Sequence, residues 1–208
     1  MRIVFMFSLM LAITLIGCKT NLLDHRELKY SYSNSQLFSR SLNHHSHPDH
    51  KTGAEDVEMH SVSVMVGKTI LEGDSAGFPM SLDAIVGPRF SAPVAGPDQD
   101  ATGIGLDLDI RVNAHVLSGD STFFVGLNGG YMYTHHDWNG QEHQNLFRVA
   151  PVVGVNVPFT AFGCKNTHGG SLILSYALEH ISDFRGRLRF DNDGYNTDTF
   201  SLGIQFPF

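Results

Sequence analysis

The sequence predicts an all-β fold: an eight-stranded antiparallel β-barrel of the outer-membrane type behind an N-terminal signal segment. Three observations predict it. The first is period-2 alternation, clearest in "GLDLDIRVNAHVL" (105–117), where Leu106, Leu108, Ile110, Val112, Ala114 and Val116 interleave with Asp107, Asp109, Arg111, Asn113 and His115. No helix tolerates that spacing. The second is the wet face, which carries Asp83, Arg89, Asp107, Asp109, Arg111, Arg148 and Asn156. A soluble sandwich buries its apolar face, whereas a membrane barrel turns that face to lipid and keeps a polar interior. Charges of both signs pointing inward over strands of roughly ten residues indicate the barrel. The third is the spacing of the strands, because outer-membrane barrels have short periplasmic turns and longer outer loops.

Residues 1–18, "MRIVFMFSLMLAITLIGC", read as a targeting segment, with Arg2 ahead of an apolar run from Ile3 to Gly17 that is too short and poorly flanked for a spanning helix. Leu15-Ile16-Gly17-Cys18 resembles the bacterial lipoprotein signal, which implies lipidation of Cys18. Lys19 after the cysteine resembles lipoproteins sent on to the outer membrane. Residues 19–56 form a polar segment with a weak first strand, "ELKYSYS" (27–33), and a histidine-rich stretch, "NHHSHPDH" (43–50). Imidazoles at His44, His45, His47 and His50 suit a divalent metal, but no second cluster is set against them in sequence. They read as solvated loop, and neither metal nor cofactor is expected.

The barrel proper is expected over 57–208. Its strands are "VEMHSVSVMVGK" (57–68), which is noisy, "MSLDAIVGPRF" (80–90), 105–117, "STFFVGLNGGYMY" (121–133), "LFRVAPVVGVNV" (146–157), "LILSYALEH" (172–180) and "FSLGIQFPF" (200–208). With 27–33 counted there are eight. The tight "SGDS" (118–121) is then periplasmic, and the longer segments 34–56, 91–102, 134–145 and 183–197 all fall outside. Only "TAFGCKNTHGG" (160–170) is long for a periplasmic turn. The end of the chain, a strand alternating in apolars and closing on Phe208, resembles the terminal signal by which barrels are recognised for outer-membrane insertion.

Composition agrees. Of 208 residues 42% are hydrophobic and 17% charged, with 21 glycines and 15 phenylalanines, which leans toward β structure and away from disorder. A net charge of −7 without a basic block excludes a nucleic-acid partner. Two cysteines, Cys18 and Cys164, make neither a disulfide framework nor a cysteine-based zinc site. A soluble lipocalin-like binder would need the greasy face inside.

One stretch carries chemistry. In "LEHISDFRGRL" (178–188), His180 and Ser182 share the parity of Leu172, Leu174, Tyr176 and Leu178, so they point to lipid at the outer end of the penultimate strand, unless the strand has already ended. Polar side chains on that face need a reason. A serine hydroxyl next to a histidine is a candidate nucleophile and base, and residues i and i+2 lie roughly 6.5–7 Å apart at the backbone, which side chains can bridge. The histidine then needs an acid. Asp198 has outward parity, Asn196 shares it, Asp191 and Asp193 lie in the adjoining loop, and Glu179 faces the lumen.

His180-Ile181-Ser182, "NDGYN" (192–196) and the last strand through Phe208 resemble the outer-membrane lipid A deacylase family. The resemblance implies ester hydrolysis of a lipid A acyl chain by a Ser-His-acid triad on the outer wall, with Ser182 as nucleophile, His180 as base and Asp198 as acid. It also implies lipopolysaccharide and outer-membrane lipid as partners and the bacterial outer membrane as location. The family usually has asparagine directly after the serine. Here Asp183 stands there, and an ionised carboxylate repels a developing oxyanion. Arg185, Arg187 and Arg189 in the following loop suit lipid A phosphates or a solvated surface equally. The alternative function is a non-catalytic small barrel: structural, adhesive or a narrow channel.

Overall fold

Alternation fixes which side chains face which way, and antiparallel pairing then closes the sheet on itself. The computed structural model describes residues 23–39, 58–75, 77–95, 102–115, 120–135, 145–164, 169–183 and 195–208. Its strands are β1 (His25–Asn34), β2 (Glu58–Ser75), β3 (Phe78–Ala95), β4 (Gly103–Ala114), β5 (Thr122–Thr134), β6 (Asn145–Pro158), β7 (Ser171–Asp183) and β8 (Tyr195–Pro207). They form a closed barrel in sequence order. Closure runs from His25 opposite Pro207 to Asn34 opposite Asp198, so no edge is left between β1 and β8.

The end at which β8 begins carries the connections 35–57, 96–102, 135–144 and 184–194. By the loop-length rule this is the extracellular end. Cys18 and the rest of 1–18, the four histidines of 43–50, Arg185, Arg187, Arg189, Asp191 and Asp193 lie outside the described residues.

Several strands differ in extent from the sequence reading. β1 is a full strand paired on both sides, not a weak one. β2 and β3 run on as a long lower hairpin that turns at Gly77 (φ 84°). There β2 continues past Gly67, the last residue paired with β1. The register shifts at Thr69/Leu71, and "LEGDS" has no alternation to betray a strand. β8 starts five residues before Phe200, because Asn196–Thr199 is polar on both faces. Part of the long lower connection 159–170 is a single 3₁₀ turn, Phe159–Phe162, ended by Gly163 in the left-handed region (φ 77°).

The outer wall is apolar: Leu106, Leu108, Val125, Leu127, Val149, Val153, Leu174 and Leu202 are all exposed. Inside, two apolar clusters share the lumen with an ionic network. At the top Met59, Met132, Leu146 and Ile181 pack together, and lower down Phe124, Ala150, Val152, Ile173 and Ala177 do the same. Beside them runs an ionic network. Arg148 pairs with both Asp107 and Glu179. Arg89 reaches Glu179 at 3.3 Å and Ser61 at 2.9 Å. Arg111 meets Glu27 at 2.8 Å and Asp109 at 2.6 Å, and Lys29 meets Asp109 at 3.0 Å. Gly130 makes room for this network, since a Cβ there would stand 2.7 Å from the Arg148 guanidinium. Charges withdrawn from water are tolerable only when paired and hydrogen-bonded in this way.

The noise in β2 has the same origin. Met59, Ser61, Ser63 and Met65 point inward, where the small hydroxyls serve the ionic network and the methionines fill space beside it.

Candidate active site on the outer wall

β7 continues to Asp183, so His180 and Ser182 belong to the strand rather than to the loop. Their neighbours Glu179 (2% exposed) and Ile181 (1%) are buried in the lumen. His180 and Ser182 therefore take the opposite side, half-buried on the outer wall near its extracellular end. On the β6 side Ser182 lies opposite Phe147 and His180 opposite Val149. Both of these are exposed apolar residues, so the pair sits in a lipid-facing setting.

On the β8 side the register places Asn196 directly opposite His180 and Asp198 opposite Leu178. The side chains follow the register. The Nδ1 of His180 and the Oδ1 of Asn196 are 3.1 Å apart. Nδ1 donates to the carboxamide oxygen, which leaves Nε2 as the acceptor able to take a proton from a hydroxyl. A carboxamide orients the imidazole as a carboxylate does, but supplies no charge to the imidazolium.

Asp198 has outward parity, yet it is fully buried and has a different set of partners. Its Oδ1 accepts from the Tyr176 hydroxyl at 2.6 Å. Its Oδ2 accepts from the Ser39 hydroxyl at 2.5 Å and from the backbone N–H groups of Ser39 and Leu37, both at 3.1 Å. The chain leaving β1 thus folds over the outside of β8 and is capped there by the carboxylate. Phe38 lies on Tyr176 with ring centroids 6.3 Å apart, and Tyr176 on Phe200 at 5.3 Å. The capped turn leaves Leu37 and Phe38 exposed at 54% and 71%, an apolar lip beside the polar pair.

The structure thus brings together His180 and Asn196, with Ser182 on the same face. Among the described residues no hydrogen bond joins Ser182 to His180, or Asp198 to His180. Asp183 occupies the last position of β7, opposite Leu146. Glu179 faces the lumen and is held by Arg89 and Arg148. Tyr176 was visible to sequence reasoning only as one more outward residue of β7. Ser39 and Leu37 gave no signal, because their contact with Asp198 spans 159 to 161 residues of chain.

Fold and site together define a small membrane-type β-barrel whose lipid-facing wall carries a buried carboxylate and a histidine–carboxamide pair beside a serine. No protein-family model and no curated protein matches the chain. Among solved structures it is similar to the outer membrane enzyme PagL, at 10% identity over 88% of this chain and 99% of that one, with a TM-score of 0.49. It is also similar to the Yersinia pestis outer membrane protein Ail in a phospholipid bilayer nanodisc, at 8% identity over 89% and 99% of the two chains, with a TM-score of 0.34. At these identities and scores neither likeness carries a function.

Proposed function

We propose that this chain is an ester hydrolase of the bacterial outer membrane that removes an acyl chain from lipid A, working from the outside of its barrel. The observation that carries the reading is the oriented His180 on the lipid-facing wall, two residues from Ser182 on one strand face. An ester held in a bilayer is within reach only of a nucleophile on that wall. Ser182 Oγ adds to the ester carbonyl while Nε2 of His180 takes its proton. Collapse of the tetrahedral adduct returns that proton to the leaving alkoxide and leaves an acyl-serine. Water, activated by the same nitrogen, then releases the fatty acid. Asn196 holds the imidazole in the tautomer this needs, a part that asparagine also plays in Cys-His-Asn enzymes. Asp198 shapes the site by pinning the 37–39 turn, while Leu37 and Phe38 line the approach of the acyl chain.

A second reading, the non-catalytic barrel, is favoured by one observation: among the described residues Ser182 has no hydrogen bond to its base. Within that reading the narrow channel is the weakest form, because the lumen is filled. The deciding experiment is mass spectrometry of lipid A from cells with and without the protein. Cells making the wild type should lose one acyl chain from lipid A. Ser182→Ala, His180→Ala and the double variant should each lose the activity to a similar extent, by a factor on the order of thousands, because nucleophile and base act as a unit. Correctly folded wild-type protein that leaves lipid A intact establishes the non-catalytic barrel instead.

A further inference from the structure

A second feature of the outer wall lies on β2–β5, around the barrel from the β7–β8 site. At the extracellular end the register sets two rows of outward residues side by side. The lower row is Val62, Phe90, Ile104 and Tyr133, each opposite the next across the sheet. The upper row contains His60, Ala92, Thr102 and His135; His60 pairs with Ala92. Large side chains stand at the ends of the upper row and small ones in its middle. The wall is therefore notched, with a groove of about 450 Å³ lined by both rows. That size is within the range of small-molecule sites. The upper flanks are the two imidazoles, three interstrand steps apart, roughly 14 Å at the backbone. His60 is held by the Tyr30 hydroxyl on its Nδ1 and by the rings of Tyr30 and Tyr32 at 5.7 and 5.4 Å. In the tautomer whose Nδ1 accepts from Tyr30, Nε2 carries the proton and is a donor.

We propose that this groove seats one acyl chain of a membrane lipid whose headgroup is a phosphate monoester, the chain lying over Phe90 and Ile104 and the phosphate at the level of His60 and His135. Two features of the groove select this occupant. Its lower row is continuous with the lipid-facing belt through Leu106 and Leu108 of β4, so the surface it opens onto is hydrocarbon. Above that apolar row, toward the extracellular end, stand the two imidazoles, so the groove is apolar below and polar above, as an amphiphile is. The inference is independent of the hydrolase reading, since none of these residues belongs to the β7–β8 site.

The test uses the full barrel in phosphatidylcholine vesicles containing a small fraction of a phosphatidic acid whose acyl chain bears a photoreactive diazirine. Peptide mapping should find labelling around Phe90–Ala92 and Ile104 about tenfold above that at Val125 and Leu127 on the plain wall, the ratio given by a preference of about 1.4 kcal/mol. Ala92→Trp fills the notch from the exposed side. It should bring the excess down to the wall level while the barrel keeps its heat-modifiable migration in detergent. Unlabelled phosphatidic acid should compete, and the methyl ester of the same fatty acid should not. Uniform labelling along the wall, or labelling unaffected by Ala92→Trp, overturns the proposal. Equal competition by the methyl ester overturns its phosphate half. Ser182→Ala should label as the wild type does, which separates failure here from failure of the hydrolase.

Discussion

Asn196 and Asp198 sit two residues apart on one face of β8, yet they answer to different partners. Asn196 meets His180 at 3.1 Å, whereas Asp198 takes four donors from Tyr176, Ser39 and Leu37. A carboxylate has about four acceptor sites, so Asp198 is saturated where it stands. If Ser182 and His180 hydrolyse esters, Asn196→Asp should raise turnover, because it adds the charge that stabilises the imidazolium, and Asn196→Leu should abolish it. A variant Asn196→Leu as active as the wild type, measured by acyl release from lipid A, removes Asn196 from the site. Asp198→Asn should instead loosen the turn at 37–39. It should raise protease cleavage after Phe38 without changing the pH profile of hydrolysis. A changed pH profile returns Asp198 to the role of triad acid. The outward direction of both residues was legible in the sequence as parity. Which of them meets the histidine was not, because that depends on a turn from the other end of the chain closing over β8.

At the scale of elements, strands were legible wherever one face is apolar and the other polar. β4 is the plainest case, with Leu106, Leu108 and Ile110 outside and Asp107, Asp109 and Arg111 inside. Where both faces are polar, as at 195–197 of β8, the sequence reads as loop. There Thr197 and Thr199 point inward, and Thr199 bonds Glu179 and Ser33. The ionic network makes β6 sensitive to one change. Arg148 is unexposed and joins Asp107 of β4 to Glu179 of β7. Arg148→Met keeps the side chain's length but leaves both carboxylates short of a partner. It should destabilise the barrel by about 3–5 kcal/mol, since removing one member of a buried pair leaves uncompensated charge. A lowered urea midpoint for refolding in detergent, or earlier loss of the heat-modifiable band, checks this. An unchanged midpoint means that water reaches the network.

Over the whole molecule, the barrel, its eight strands and their orientation follow from alternation, loop lengths and inward charge. The sequence did not reveal that the interior holds apolar clusters beside its charges, because inward Met59, Met132 and Leu146 look like noise until the strands are brought round to face one another. A lumen occupied by these apolar clusters and the ionic network should pass no current. Reconstituted into planar bilayers, the protein should give no unitary conductance steps; steady steps would revive the channel. The ionic network bears on assembly as well. Glu27 of β1 meets Arg111 of β4, Lys29 of β1 meets Asp109 of β4, Arg89 of β3 meets Glu179 of β7, and Arg148 of β6 meets Asp107 of β4. None of these strand pairs are neighbours in the sheet. Two further pairs, Arg89–Asp107 across β3 and β4 and Arg148–Glu179 across β6 and β7, do join neighbours, but Glu27 and Lys29 of β1 find their partners only on β4, so a β1–β2 hairpin entering the bilayer alone carries both without them. Part of the ionic network therefore forms only when distant strands are brought round to each other, which couples insertion to closure.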